Sequence, residues 1–101
     1  MRVVALKVLR EFWATHPDAE QPLRVWFELV SHAQWRQPAD INAQLGNASI
    51  LKNRRVVFNI KGNDYRLVAG LAYNTSLVFI KFIGTHKAYD AIDAETIEPE
   101  Y

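Results

Sequence analysis

Residues 55–83 read RVVFNIKGNDYRLVAGLAYNTSLVFIKFI, and this stretch decides the fold. Apolar side chains recur at every second position in three segments, 55–61, 65–73 and 77–83, which is the period of a β-strand. The links between the segments are Gly-Asn-Asp and Asn-Thr-Ser, which are typical of tight turns between antiparallel strands. The stretch predicts a meander of three antiparallel strands.

The residues before this stretch are predicted to be mainly helical. Apolar residues at helical spacing in residues 5–13 indicate an amphipathic helix that stops at Pro17. A second helix is expected to begin around residues 18–20, with a broad apolar stripe that closes near His32. Helices first and strands afterwards predict an α+β fold, in which two N-terminal antiparallel helices pack on a twisted antiparallel sheet.

The remaining segments carry weaker signals. Residues 1–4 form a short extended start that can supply a further strand. Residues 35–53 lose any regular period and are expected to form a long connection, with one helical turn around residues 39–45. The chain as a whole, 1–101, is expected to be a single domain with a short C-terminal helix or tail.

Strand alternation predicts which side chains face away from the helices. The apolar sets, including Val78, Ile80 and Phe82 of the third strand, should cover the helices. The opposite face is then expected to be open, shallow and positively charged, because Gly70, Ala72 and Phe79 would share it with four polar residues: Asn59, Lys61, Arg66 and Lys81. Such a surface suits a phosphate backbone with a base stacked on an aromatic ring.

The composition narrows the class of protein. The 101 residues contain no cysteine, which excludes disulfides, a thiol nucleophile and a Cys-based zinc site. No apolar run approaches the roughly 18 residues that a membrane span needs, and the N-terminus does not resemble a signal peptide. We expect a cytoplasmic protein that binds neither a membrane nor a metal or other cofactor.

The charges are distributed unevenly. Residues 1–89 carry twelve Lys and Arg against six Asp and Glu, whereas residues 90–101 carry five acids and no base. The basic body points to a polyanionic partner. The acidic tail, about 94–101, is expected to be loosely attached and to keep a basic protein soluble, with competition for the phosphate site as the alternative.

Two motifs point to a family. The sequences VVFNIKGNDYRLV (56–68) and GTHKAYD (84–90) closely resemble those of the HigB-type toxins of bacterial toxin–antitoxin pairs. The resemblance covers about residues 55–92, and its parts occur in the family's order and at the family's separation.

This resemblance implies a RelE-like fold and the activity of an mRNA interferase. In many members of the family this enzyme cuts messenger RNA on the translating ribosome. It also implies a cognate helix-turn-helix antitoxin of the HigA type as partner. The products expected from metal-independent RNA cleavage carry 2′,3′-cyclic phosphate ends.

Metal-independent cleavage needs proton transfer and cationic charge at the reacting phosphate. Four residues are candidate catalytic groups: Arg66 as a phosphate clamp, His86 as general acid or base, Lys61 against the developing charge, and Tyr89 to orient or stack. Five residues are candidate RNA contacts: Asn59, Lys81, Lys87, Arg54 and Arg55.

Structural explanations compete with these roles. Thr85 can cap a last helix, with His86 merely exposed beside it, and Tyr89 can close the end of the sheet as a core aromatic. The same basic face also fits two other functions, a non-catalytic RNA- or ribosome-binding module and a protein subunit whose basic groove receives an acidic partner.

Overall fold

The structure of the chain, a computed structural model, describes residues 1–99. Ten elements follow one another: β1 (Arg2–Val4), α1 (Leu6–Thr15), a 3₁₀ turn (Pro17–Ala19), α2 (Glu20–His32), α3 (Pro38–Gln44), β2 (Ser49–Ile50), β3 (Arg55–Ile60), β4 (Tyr65–Ala72), β5 (Leu77–Thr85) and α4 (His86–Asp90). The predicted α+β class, with two N-terminal helices against a sheet, is confirmed.

The five strands form one sheet in the order β1-β5-β4-β3-β2. The meander β3-β4-β5 is antiparallel, as the turn sequences predicted, and β2 adds to it in the same sense. The sheet is nevertheless mixed, because β1 pairs in parallel with β5. The chain enters β1 before the helices and returns to that edge only after them, so the pair needs no hairpin.

The main core lies between the helices and one face of the sheet. Pro17 begins the 3₁₀ turn that separates α1 from α2, and α2 has Pro22 in its first turn, where the missing N–H costs nothing. Trp26 of α2 meets Phe58 of β3 edge-on at 5.3 Å between ring centroids. The largest completely buried side chains of this core are Leu9, Leu23, Ile41, Leu67, Val30, Val56 and Val78. No helix among residues 1–99 is long and apolar enough to cross a membrane.

A β-bulge changes the facing of β5. Ala69 pairs with Ile80 but Val68 pairs with Phe82, so Lys81 is an extra residue in the ladder. Because one inserted residue reverses the alternation beyond it, Ile83 packs into the helix-side core and Phe82 packs on the other face. The prediction that Phe82 faces the helices was wrong, since a bulge leaves no mark in the alternating pattern.

The second face of the sheet is partly covered by the C-terminal segment, residues 91–98. Three residues of this segment, Ile92, Ala94 and Ile97, complete a small apolar cluster. The other members of the cluster are Leu51, Val57, Val68, Phe82 and Tyr89. The predictions of a fully open face and of a loosely attached tail were therefore wrong for the tail residues described here. Residues 100–101 of the predicted tail lie outside the described residues.

Because the bulge turns Phe82 to the same face as Gly84, we expect substitutions at these two positions to have coupled effects on stability. A β-carbon at Gly84 would lie 2.5 Å from Cζ of Phe82, so Gly84→Ala should lower the free energy of unfolding by about 1–3 kcal/mol. The shorter side chain of Phe82→Leu should relieve part of this cost, and urea unfolding of the two single variants and the double variant measures the relief.

Gly46→Ala is the matched control, since the nearest atom to its new β-carbon, the backbone oxygen of Asn42, is 3.9 Å away. Its stability should stay within about 0.5 kcal/mol of the parent chain. Strictly additive effects of the Gly84 and Phe82 substitutions would contradict the observed facing of Phe82.

Candidate functional site

Three of the predicted site residues come together where β4, β5 and α4 meet. Arg66 of β4 pairs with Gly84 of β5, and α4 begins two residues after Gly84. The Thr85 hydroxyl caps this helix by accepting a hydrogen bond from the Ala88 N–H at 3.1 Å. The short helix thereby brings Tyr89 to Arg66 and places His86 at the end of the sheet, three residues before Tyr89.

Arg66 lies against the ring of Tyr89. Its guanidinium carbon is 5.8 Å from the ring centroid, which is within cation–π range, and Nη1 donates to the backbone oxygen of Asn63 at 3.2 Å. These two contacts hold the guanidinium at the surface. Because the guanidinium has five N–H groups in a planar fork, donors beyond the one used by Asn63 are available for an anion.

His86 occupies the first position of α4 with its side chain half exposed. The backbone N–H of His86 donates to the oxygen of Asp64 at 3.1 Å, which ties the helix to the β3–β4 turn. Its Nδ1 lies 3.2 Å from a carboxylate oxygen of Asp90. With the proton on Nδ1 directed at Asp90, Nε2 is left to exchange a proton with a ligand.

Asp90 was missed by the analysis of the sequence. The signal was present, because a carboxylate four residues after a histidine lies on the same face of a helix. A helix was predicted only as one option for the segment after Gly84, so the four-residue spacing of His86 and Asp90 did not by itself predict a contact.

Lys61 does not join this cluster, which corrects the predicted facing. The strand ends at Ile60, and Lys61 has a left-handed backbone (φ 53°), so the alternation does not extend to it. Its Nζ contacts Asp18 at 2.7 Å and Asp64 at 3.5 Å. Lys61 is thus turned to the 3₁₀ segment on the helix side, where it borders an apolar hollow of about 430 Å³ between α2 and β3.

Asp18 organises this corner of the molecule. It accepts hydrogen bonds from Lys61 and from the Tyr65 hydroxyl, and these bonds hold the pKa of the Asp18 carboxyl below its ordinary value. The same contact with Asp18 raises the pKa of Lys61. The positive charge of Lys61 is therefore paired with the Asp18 carboxylate inside the folded chain.

Arg55 and Lys81 lie further along the sheet face and share one partner. Arg55 is buried, and its Nη2 is 2.6 Å from a carboxylate oxygen of Glu98 in the C-terminal segment. Lys81 Nζ is 2.7 Å from the other carboxylate oxygen. Both residues were predicted to be open to RNA. In this conformation they are not, because both of their side chains are paired with Glu98.

The remaining candidates are spread around the site. Asn59 is the register partner of Arg66, and Lys87 is exposed on α4 directly after His86. Arg54, which has a positive φ of 57°, borders a separate hollow with Tyr73 and Asn74. Its neighbour Arg55 pairs with Gly70, four residues from Arg66, so Arg55 is about 13 Å from Arg66 along the strand, and Arg54 is one residue further away.

The part of the chain that the structure describes contains no group of three His, Asp or Glu side chains that could hold a metal ion. The groups present at the candidate site are a guanidinium, an imidazole with its carboxylate partner, and a phenol. Such a set can bind an anion and transfer a proton.

The two-helix fold on a mostly antiparallel sheet is consistent with that of the RelE-like toxic components of toxin–antitoxin systems. Residues 19–92 match the HigB toxin family, described as the "RelE-like toxic component of a toxin-antitoxin system". The match covers most of the chain and includes α2, the meander and α4. The chain belongs to this family, which confirms the relationship indicated by the two motifs.

Curated relatives are similar over nearly the full length. The chain is 24% identical over 96 residues to the "mRNA interferase toxin HigB" of Escherichia coli (strain K12), which covers 93% of this chain and 92% of that protein. The "mRNA interferase HigB" of Shigella flexneri matches with the same identity and coverage.

The pKa of Asp18 predicts how stability depends on pH. A carboxyl whose pKa is lowered on folding stabilises the folded chain fully above its ordinary pKa of 3.8, and this contribution is lost as the pH falls through the folded value. Asp18→Asn should therefore unfold at lower urea concentration than the parent chain at pH 7, and the gap should shrink below about pH 3.8.

Urea unfolding at pH 7 and pH 3 measures this gap. Glu11→Gln, which removes an exposed carboxylate on α1, controls for the change in net charge. A gap of equal size at both pH values would show that the Asp18 carboxylate does not stabilise the fold through its charge.

Proposed function

We propose that this toxin is an endoribonuclease that cleaves mRNA without a metal ion. Family membership makes the chain the toxic component of a toxin–antitoxin system, and its relatives carry the name mRNA interferase. The observation that carries the proposal is the contact of Arg66 with Tyr89, on a short helix whose first residue is His86. This site offers the charge and the proton carrier that RNA cleavage needs.

The proposed reaction uses the RNA's own 2′-hydroxyl as nucleophile. The 2′-oxygen attacks the adjacent phosphorus as its proton leaves, and the bond from phosphorus to the 5′-oxygen of the next nucleotide breaks as that oxygen takes a proton. The products are a 2′,3′-cyclic phosphate and a 5′-hydroxyl. His86 takes up or delivers one of these protons, and Asp90 holds its imidazole in position.

Arg66 supplies the charge at the reacting phosphate. Its guanidinium can donate to two phosphate oxygens at once, and these bonds strengthen as negative charge builds up on the oxygens in the transition state. Tyr89 acts as the platform beneath Arg66, and its ring edge or hydroxyl helps to position the nucleotide. Lys87 and Asn59 extend the same region for contacts with neighbouring parts of the RNA.

In this proposal Lys61 has a structural role and no catalytic one. It is engaged by Asp18 and lies on the helix side, so the cluster around Arg66 operates without it. Arg54 lies towards the other end of the sheet, and we assign it at most a contact with a distant part of the RNA.

The partners follow from the family and from the charge. A toxin of this family has an antitoxin, which we propose to be a cognate helix-turn-helix protein of the HigA type. The basic body suits mRNA bound on a ribosome, where RNA phosphates surround the substrate. We propose that the toxin acts in the cytoplasm, where mRNA is translated.

Incubation of the purified toxin with RNA in EDTA tests the proposal. We expect cleavage with 2′,3′-cyclic phosphate ends either on this isolated RNA or, in a separate incubation that keeps the Mg²⁺ ribosomes need, only on translating ribosomes. Expression in cells should arrest growth, and co-expression of the neighbouring reading frame should relieve the arrest. RNA binding without cleavage in either setting would favour a non-catalytic binding module. Binding to an acidic protein but not to RNA would favour a protein-binding subunit.

Arg66→Ala is expected to lower the cleavage rate by about 10²–10³-fold, because it removes the donors that stabilise the transition state. Arg66→Lys should recover only part of the rate, since a point charge does not reproduce a two-point contact. Single-turnover kinetics measures both effects.

Arg10→Ala removes an exposed arginine from α1 and should leave the rate near that of the parent chain. Circular dichroism should show the parent melting temperature for Arg66→Ala, because the side chain points off the sheet. Loss of folding in this variant would withdraw Arg66 from the proposed role.

His86→Gln should lower the rate at saturating RNA by about 10²–10⁴-fold while the affinity for RNA changes little, because the glutamine cannot transfer a proton. His32→Gln is a matched control, since His32 lies 3.5 Å from the Glu28 carboxylate on α2, at the same spacing along a helix. Full activity of His86→Gln would leave electrostatic stabilisation by Arg66 as the main source of catalysis.

A further inference from the structure

The Glu98 carboxylate is bound between two cations on the second face of the sheet. One oxygen lies 2.6 Å from Arg55 Nη2 and the other lies 2.7 Å from Lys81 Nζ. The side chain of Arg55 is 7% exposed, whereas that of Glu98 is 58% exposed. A phosphate group could bind here in the same way, because it also carries two oxygens on one central atom, and each could contact a different cation.

The cations belong to the sheet, whereas the anion arrives with the C-terminal segment. Arg55 is held in β3, and Lys81 is held at the bulge of β5 with its side chain across Gly70. Glu98 lies eight residues beyond the end of α4, in a segment that makes no ladder with the sheet. The binding site is therefore preformed, and its present occupant is attached by a short connection.

The contacts of the segment are of a kind that can be exchanged. Ile92, Ala94 and Ile97 cover a small apolar cluster, and Ile97 also accepts a hydrogen bond from Arg55 through its backbone oxygen. Glu98 is 58% exposed and regains water easily when it leaves, whereas Arg55 is 7% exposed and would lose its counter-ion. The carboxylate therefore leaves readily only when another anion takes its place. A stronger anion could replace it.

This face is the one that carries Arg66. Along β4, Arg66, Val68 and Gly70 share the face, so the cations around Gly70 lie about 13 Å from Arg66. Lys81 also lies 5.6 Å from the ring of Phe79, an aromatic surface beside a cation. A polyanion that reaches Arg66 passes this second pair of cations.

We propose that Arg55 and Lys81 form a second phosphate-binding site of the toxin, and that Glu98 occupies it until RNA displaces the C-terminal segment. The inference rests on the proposed function, in that RNA is the ligand. The contacts with Lys81 and Arg55 keep the pKa of Glu98 below its ordinary value of 4.5, as expected for a carboxylate held by cations. At neutral pH the carboxylate is ionised and can compete with a phosphate.

Glu98→Gln tests the competition. The glutamine keeps the size and an acceptor oxygen but loses the charge. We expect it to bind a short RNA with 2′-deoxy substitutions, which prevent cleavage, about three- to tenfold more tightly at low salt. At high salt the gain should largely disappear, because screening weakens the competing ion pairs.

Glu11→Gln makes the same change in net charge on α1 and should gain much less. Lys81→Gln provides the second variant: it should weaken RNA binding, and adding Glu98→Gln to it should restore little. Thermal unfolding of each variant shows whether it remains folded.

Hydrogen–deuterium exchange supplies a readout of the segment itself. The Ile97 N–H donates to the oxygen of Asp93 at 2.8 Å, so its exchange should accelerate when the RNA binds. Slower exchange on RNA binding would overturn the proposal, since the segment would then be part of the RNA site. Opening by poly-glutamate but not by RNA would overturn it as well and would indicate an acidic protein as ligand.

The outcomes separate this inference from the proposed function. RNA binding that Glu98→Gln leaves unchanged contradicts the inference alone, and the cleavage assay remains decisive for the function. Failure of the parent chain and of Glu98→Gln to bind the RNA would contradict the inference, and cleavage on translating ribosomes would still decide the function.

Discussion

One inserted residue in β5 determines the arrangement of the second half of the molecule. At the bulge, Lys81 has no counterpart on β4, so Ile80 and Ile83 both serve the helix-side core although they are three positions apart. Phe82 therefore lies on the other face, where it packs against Val57 and Val68 in a second apolar cluster. Without this cluster the segment after α4 would have no apolar surface to pack on.

The bulge also determines how the charges are used. The second apolar cluster holds the C-terminal segment against the sheet, which brings Glu98 to Arg55 and Lys81. At the other end of the face, Arg66 meets an aromatic ring and a backbone oxygen instead of a carboxylate. One face therefore contains two cations that share one carboxylate and, about 13 Å away, a guanidinium that pairs with no carboxylate among residues 1–99.

Much of the site could be predicted from the sequence because its elements are local. Arg66 and Asn59 are paired through a hairpin whose turn is only a few residues long, and the register follows from the turn. His86 and Tyr89 are three residues apart on one short helix, with Thr85 as its cap. Lys61 could not be placed in this way, since the left-handed backbone after Ile60 ends the alternation on which its predicted facing rested.

The sequence by itself determined the α+β class, the helix-side apolar sets of β3 and β4, and the membership of the family, because periodicity and motifs are properties of neighbouring residues. Only the tertiary structure decided which cations stay available. Lys61 meets Asp18, and Arg55 meets Glu98, across 43 residues of chain in both cases. Such pairs depend on strand register and on a single bulge, and a one-residue shift in a strand exchanges its two faces, so no local pattern could specify them.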